Sequence, residues 1–338
     1  MDFYSDNTAP ATPQVMAAIA AANHGVARGY GDDAWSRRLD AAFSHWFGRP
    51  VRAFAVATGT AANALAIATF TAPYGEVFAS ENAHVVHDEC GAVELQTAGA
   101  RITRLPAQQG ILDAGTLSQW LDDHPASVHS QQPAAVTITQ ASECGTLYTP
   151  QQVAAIGQVC RQRGLALHMD GARFANAVVA LQVPPAALTW EAGVDVLSFG
   201  ATKNGALGAE AVVFFDPQRA ADFALRRKRA AHLFSKMRYL SAQLLCCLEQ
   251  DFFLANAARA NALAARIGAA AAGRLLYPVQ ANSAFVRFGP GQKQALRERG
   301  FGFHDWGAPR DEAARFVVSW DQPAESVDAL CEALRAWS

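Results

Sequence analysis

Lys203 stands in the run Ser198-Phe199-Gly200-Ala201-Thr202-Lys203-Asn204-Gly205, directly after an apolar stretch from Val194 to Phe199. A lysine delivered by a strand into a glycine-punctuated turn, among small residues and away from bulk water, can lose its proton and attack a carbonyl as an amine. Taken alone, such a lysine is as readily explained as a solvated turn residue.

Three further clusters also follow β-rich runs. Thr58-Gly59-Thr60-Ala61-Ala62-Asn63 follows Ala53–Ala57 and opens a helix through Ile67. Glycine lets an anion approach the backbone, the helix start offers N–H groups without partners, and the threonine hydroxyls add donors. The cluster lacks the lysine of a P-loop and the glycine spacing of a dinucleotide fingerprint, which disfavours nucleotides. Leu165-Ala166-Leu167-His168-Met169-Asp170-Gly171-Ala172-Arg173 ends a strand in an acid and a base. An ionised Asp170 can keep a pyridine nitrogen protonated, and His168, two residues earlier, is expected to orient it. Glu81-Asn82-Ala83-His84 places a histidine beyond another strand, where it could cover a planar cofactor or act as a base near neutral pH. An N-cap, a structural Asp–Arg pair and a hydrogen-bonded histidine would explain the three singly. Their joint position past strand ends argues for one site, because ligands of open α/β sheets bind beyond the carboxyl ends of the strands. Phosphate cradle, nitrogen-binding acid and amine together meet the needs of a pyridoxal phosphate (PLP) enzyme.

The elements that must position these residues alternate. Ala53–Ala57, Val77–Ser80, Arg101–Leu105, Ala135–Thr139, Leu165–Met169, Val194–Phe199 and Ala211–Phe215 read as strands. Between two of them lies a helix with Thr149 as N-cap, Pro150 at its first position, Gly164 at its end, and Val153, Ile156, Val159 and Cys160 on one face. This pattern predicts an α/β fold with a mostly parallel sheet and helices on both faces. Ala220–Leu248 and Ala255–Ala272 read as long helices. Ala284–Phe288 and Arg315–Ser319 read as strands, and Ser326–Trp337 as a closing helix. The expected division is an N-terminal segment plus large α/β domain over residues 1–250 and a small α+β domain over 251–338.

Composition narrows the function classes. Of 338 residues, 51% are apolar and 17% charged, enough for a sizeable core. A formal charge of −2 gives no reason to expect nucleic acid or an acidic membrane as partner. The six cysteines have no metal-type spacing and suit free thiols in a reducing compartment. No basic and apolar leader opens the sequence, and no apolar run is long enough to span a bilayer, so a cytoplasmic protein is expected.

The whole set resembles the PLP-dependent threonine aldolases, of the aspartate aminotransferase fold (fold type I). The resemblance runs through Ser5-Asp6-Asn7, Tyr30-Gly31-Asp32-Asp33, Gly59 to Asn63, His84, His168 to Arg173, Thr202-Lys203-Asn204-Gly205, Lys236-Met237-Arg238 and Arg315-Phe316-Val317-Val318-Ser319-Trp320-Asp321, nearly the whole chain. It implies that Lys203 holds PLP covalently, Asp170 pairs with the pyridine nitrogen, Arg173 lies on the ring-hydroxyl side, Gly59 and Thr60 cradle the phosphate, and His84 stacks on the ring. Arg238 would be a further anion contact. Ser5 and Arg315 would hold the substrate carboxylate, His129 would lie near the substrate hydroxyl, and Tyr30 would reach a neighbouring subunit's site. His84 or His129 would serve as the base. The implied activity is cleavage of L-threonine, L-allo-threonine and related L-β-hydroxy-α-amino acids such as phenylserine to glycine and an aldehyde, with the reverse addition, in homodimers or homotetramers with shared active sites. β-Elimination or racemisation on the same scaffold is the nearest alternative, and a non-catalytic binding protein the more distant one. Two departures stand out: Thr202 precedes the lysine where many relatives have serine, and Gln140-Ala141-Ser142-Glu143-Cys144 replaces the Asn-Thr-His-Asn of one branch, which bears on substrate preference.

Overall fold

The computed structural model describes residues 1–337. Its main sheet has seven strands: β1 (Arg52–Val56), β2 (Gly75–Ser80), β3 (Arg101–Leu105), β4 (Gln132–Thr139), β5 (Ala166–Gly171), β6 (Val196–Gly200) and β7 (Glu210–Phe214). Their order is β1-β7-β6-β5-β4-β2-β3. β7 runs antiparallel to both neighbours, and the other six share one direction. All seven strands expected from the sequence are present, with small shifts at their ends.

Successive residues of the central strands enter different cores, as a sheet covered on both faces requires. Val196 and Val212 pack with Ala62, Leu65 and Ala66 of helix Gly59–Phe70. Leu197 and Val213 face the opposite core, which Phe43, Phe47, Val153, Ile156 and Leu244 complete. Helix Pro150–Arg163 begins and ends as expected. The Thr149 hydroxyl accepts from the Gln152 N–H at 3.2 Å, the Gln152 side chain accepts from the Thr149 N–H at 2.8 Å, and Gly164 is left-handed.

The stretch read as one helix over 220–248 is two, Phe223–Arg229 and Arg238–Glu249. Ala231 has φ +63, and the chain turns so that His232 Nδ1 accepts from the Ala57 N–H at 3.3 Å, just past β1. Helical propensity yields here to a tertiary contact.

The second sheet is antiparallel, β8-β10-β9, formed by β8 (Ser283–Arg287), β9 (His304–Trp306) and β10 (Ala313–Val317). β9, only three residues long, has no alternation from which sequence could have announced it. Helix Ala324–Arg335 closes this lobe with Val327, Leu330 and Leu334 buried. The first residues join the small lobe rather than the large domain to which the sequence assigned them. The Phe3 N–H donates to the Gly302 carbonyl at 2.8 Å, the Val317 N–H donates to the Phe3 carbonyl at 2.9 Å, and the ring packs on Phe301 and Phe316. Helix Phe252–Ala270 crosses between lobes, with Phe253 and Ala257 in the large core and Ala260, Ala264 and Ile267 in the small one. Among the described residues, no helix is long and apolar enough to cross a membrane.

Candidate active site

The carboxyl ends of β1, β6, β5, β4 and β2 deliver Thr58, Lys203, Asp170, Glu143 and His84 to one edge of the sheet. The antiparallel β7 brings its first residue, Glu210, to the same edge, opposite Val56 and Gly200. Two backbones meet closely there. A side-chain carbon at Gly200 would stand 2.7 Å from the Ala172 backbone, so only glycine fits, and Gly205 (φ +108) turns the chain behind Lys203.

A cavity of about 360 Å³ opens at this edge, lined by Thr58, Gly59, Thr60, His84, Asp170, Ser198, Lys203 and Glu210 among others. Thr58 caps helix Gly59–Phe70, accepting from the Ala61 N–H at 3.2 Å. The remaining first-turn N–H groups have no intrahelical acceptor, and a side chain built at Gly59 would meet nothing within 4 Å. That end of the helix is an open anion seat. Asp170 is buried. Its Oδ2 accepts from Asn63 Nδ2 at 2.8 Å and its Oδ1 from the Ala172 N–H at 2.9 Å. Asn63 rather than His168 orients it. His168 instead bridges the hydroxyls of Thr137 at 2.8 Å and Ser198 at 2.9 Å, and burial pushes its pKa down to about 4, so the ring is neutral.

A second cavity, about 310 Å³, shares Asn7, His84 and Lys203 with the first and adds Ser5, Glu143, Arg173, Asn282, Trp306 and Arg315. Two guanidinium groups face this space. Burial lowers the pKa of Arg315 and repulsion from Arg173 adds to it, while Arg315 Nε is buried with no hydrogen-bond partner among the described residues. An anion between the two arginines would satisfy both the charge and the donor. His84 stands where the cavities meet. Its Nδ1 lies 2.9 Å from Glu89 Oε1, and this hydrogen bond raises the imidazole pKa against the effect of burial.

Lys203, Asp170, Gly59, Thr60 and His84 therefore share the first cavity, and Ser5, Arg315, His84 and Lys203 the second. Arg173 lines the second cavity and not the first, because the Asp6 carboxylate claims its guanidinium. His129 is not brought to the site. It is exposed in the connection from helix Ala114–Asp123 to the amino end of β4, the opposite edge of the sheet. Tyr30 and Arg238 line neither cavity. Tyr30 is exposed under the Lys228 ammonium, and Arg238 donates to the carbonyls of His24 and Gly25 at 3.4 and 3.2 Å. Sequence reasoning gave no role to Asp6, Asn63, Glu89, Glu143, Glu210 or Asn282, all of which contact or line the site. Asp6, Asn63 and Glu143 sit inside motifs already singled out, which was the available signal.

A sequence profile described as beta-eliminating lyase matches residues 2–288. A low specificity L-threonine aldolase of Pseudomonas sp. (strain NCIMB 10558) is 40% identical over 99% of this chain and 97% of its own length. The chain belongs to the threonine aldolase group of the beta-eliminating lyase family. A second threonine aldolase, of Pseudomonas aeruginosa, is 40% identical over 98% of this chain and 96% of its own. The solved structure of Leishmania major threonine aldolase superposes with a TM-score of 0.93 at 24% identity, covering 99% of both chains, and shares the fold. PLP is the cofactor of the threonine aldolase family. The residues present fit it: an amine for its aldehyde, a buried carboxylate for its ring nitrogen, and an open helix start for its phosphate.

Proposed function

We propose that this chain cleaves L-threonine, L-allo-threonine and related L-β-hydroxy-α-amino acids to glycine and an aldehyde, and catalyses the reverse addition. The observation that carries this reading is the place of Lys203 at the junction of the two cavities, cofactor groups on one side and a carboxylate seat on the other. PLP bound there would supply an electron sink for cleavage next to the α-carbon. Asp170 would hold the ring nitrogen, the start of helix Gly59–Phe70 would take the phosphate, and His84 would cover the ring. Ser5, Arg173 and Arg315 grip the amino acid's carboxylate, which fixes the rotation about Cα and so selects the bond that breaks.

Tyr30 and Arg238 support a shared-subunit reading. The Tyr30 N–H donates to the Ser235 carbonyl and Arg238 to the Gly25 carbonyl, so the two residues occupy one area of surface with exposed Val26 and Phe234, the chain neighbours of those acceptors. An apolar patch with a cation beside it suits a second copy of the chain in a homodimer or homotetramer. All six cysteines are unpaired, which agrees with a reducing, cytoplasmic location that cell fractionation would check.

Purified protein with PLP should release glycine and aldehyde in equal amounts from threonine or phenylserine, and Lys203→Ala should lose both the activity and the hydride-trapped cofactor adduct. Ammonia and a keto acid without glycine would replace this reading with β-elimination. A sedimentation mass equal to a single 36.0 kDa chain would remove the shared-subunit proposal.

A further inference from the structure

Glu143 lies in the loop after β4, on the wall of the second cavity. Its Oε1 is committed, accepting from the His84 N–H at 2.7 Å and the Thr139 hydroxyl at 2.9 Å. Its Oε2 is shielded from solvent and has no hydrogen-bond partner among the described residues. A carboxyl oxygen left so is costly unless a ligand completes it. The loop cannot easily carry it elsewhere. The Gln140 side chain is tied to the Tyr148 carbonyl at 2.8 Å and N–H at 3.0 Å, and the hydroxyls of Ser142 and Thr146 meet at 2.6 Å.

We propose that Glu143 is the base that takes the β-hydroxyl proton of the bound amino acid, a role that rests on the aldolase reading and assigns its proton transfer. Oε2 accepts the proton, the O–H bonding pair closes the carbonyl of the departing aldehyde, and the Cα–Cβ pair stays on the α-carbon, which then takes a proton to become glycine. In the addition direction the protonated carboxyl returns its proton to the aldehyde oxygen.

The electrostatic surroundings suit this role. Burial pushes the Glu143 pKa up to about 7 and Asp170 adds to the rise, against hydrogen bonding from the His84 N–H, from its own N–H and from the Thr139 hydroxyl. A base titrating near the working pH is an efficient one. The titratable groups facing it are His84 from the turn after β2, Asp170 and Arg173 from the end of β5, Cys144 in its own loop, and Tyr148 beyond. His84 is the rival base. Its Nδ1 is already engaged by Glu89 Oε1 at 2.9 Å, a contact that raises its pKa and leaves Glu143 Oε2 as the carboxyl oxygen without a partner.

The test uses PLP-loaded Glu143→Gln. The amide keeps an oxygen for the His84 and Thr139 donors and puts a group that cannot accept a proton in place of Oε2. Cleavage of threonine or phenylserine should fall by about 100-fold or more in kcat. Exchange of the glycine α-proton in deuterium oxide, which involves no β-hydroxyl, should stay within about threefold of wild type on the same reasoning. The acid limb of the wild-type kcat profile near pH 7 should vanish in Glu143→Gln, and Glu143→Asp should restore part of the cleavage rate. Cleavage retained by Glu143→Gln would overturn the proposal, and so would a parallel fall in cleavage and exchange, which marks a structural role. Failure of the wild-type protein to form glycine would instead overturn the aldolase reading itself.

Discussion

The Asp6 carboxylate meets the Arg173 guanidinium in two hydrogen bonds, 2.7 Å from Nε and 2.8 Å from Nη2. Asn282 adds a third donor at 2.9 Å. Asp6 belongs to the segment fastened to the small lobe, and Arg173 follows β5 of the large one. The pair therefore joins the lobes across the second cavity and fixes one of its two arginines.

Asp6→Asn should loosen both the fold and the carboxylate seat. Burial alone would raise the Asp6 pKa, but Arg173, Lys203 and the Asn282 hydrogen bond outweigh it and hold it below the ordinary value. Its stabilising contribution is thus complete above the unfolded carboxylate range and is lost as pH falls through the folded pKa. Removing the charge should cost about 3 kcal/mol, the low end for breaking a buried pair, because Arg173 keeps access to cavity water. Urea unfolding at pH 7 measures that loss, and steady-state kinetics should show KM for the amino acid rising more than kcat falls. Unchanged unfolding and unchanged KM would mean that the pair neither joins the lobes nor aims Arg173.

The sheet and half of the site were legible because each signal is local. An apolar run followed by a glycine-rich or capped turn marks a strand end, and Lys203, Asp170, Gly59 and His84 all carry that mark. The misplaced His129 could have been avoided by the same logic. It precedes a strand, and in a parallel sheet the connections entering strands lie at the edge opposite the ligand. The buried carboxyls Glu89, Glu143 and Glu210 were illegible for a different reason. Each is an isolated acid in its own segment, and only the tertiary approach of β1, β2, β4 and β7 shows that all three border the site.

Asn63 should govern cofactor affinity although it lines neither cavity. Its Nδ2 donates to Asp170 Oδ2 and to Glu89 Oε1, both at 2.8 Å, and so spaces two buried acids. Asn63→Leu leaves both buried carboxyls without that donor. Losing a hydrogen bond to a charged group is worth about 1.5–3 kcal/mol, so PLP affinity should fall by roughly 10-fold or more. Titration of the protein with PLP, followed by the visible absorbance of the complex, measures this. Wild-type affinity in Asn63→Leu would show that the Ala172 N–H alone positions Asp170.

Glu210 should give the chain a pH-dependent stability of unusual sign. The side chain is buried with Oε2 accepting from the Ala201 N–H at 2.9 Å, and burial pushes its pKa from 4.5 up to about 7 against the Thr202 hydroxyl and Lys203. Between those two values the folded chain holds a proton that the unfolded chain has released, so stability falls as pH rises through the window. The difference corresponds to about 3 kcal/mol between pH 4.5 and pH 7. Glu143, raised for the same reason, pulls in the same direction. Glu210→Gln keeps an acceptor for Ala201 and removes this titration while leaving that of Glu143 in place. Its unfolding free energy should therefore decline less steeply than that of wild type from pH 5 to pH 8, and the variant should be the more stable protein at the alkaline end. Parallel pH profiles for the two proteins would mean that Glu210 stays ionised in the fold, with Lys203 as its fixed counter-charge.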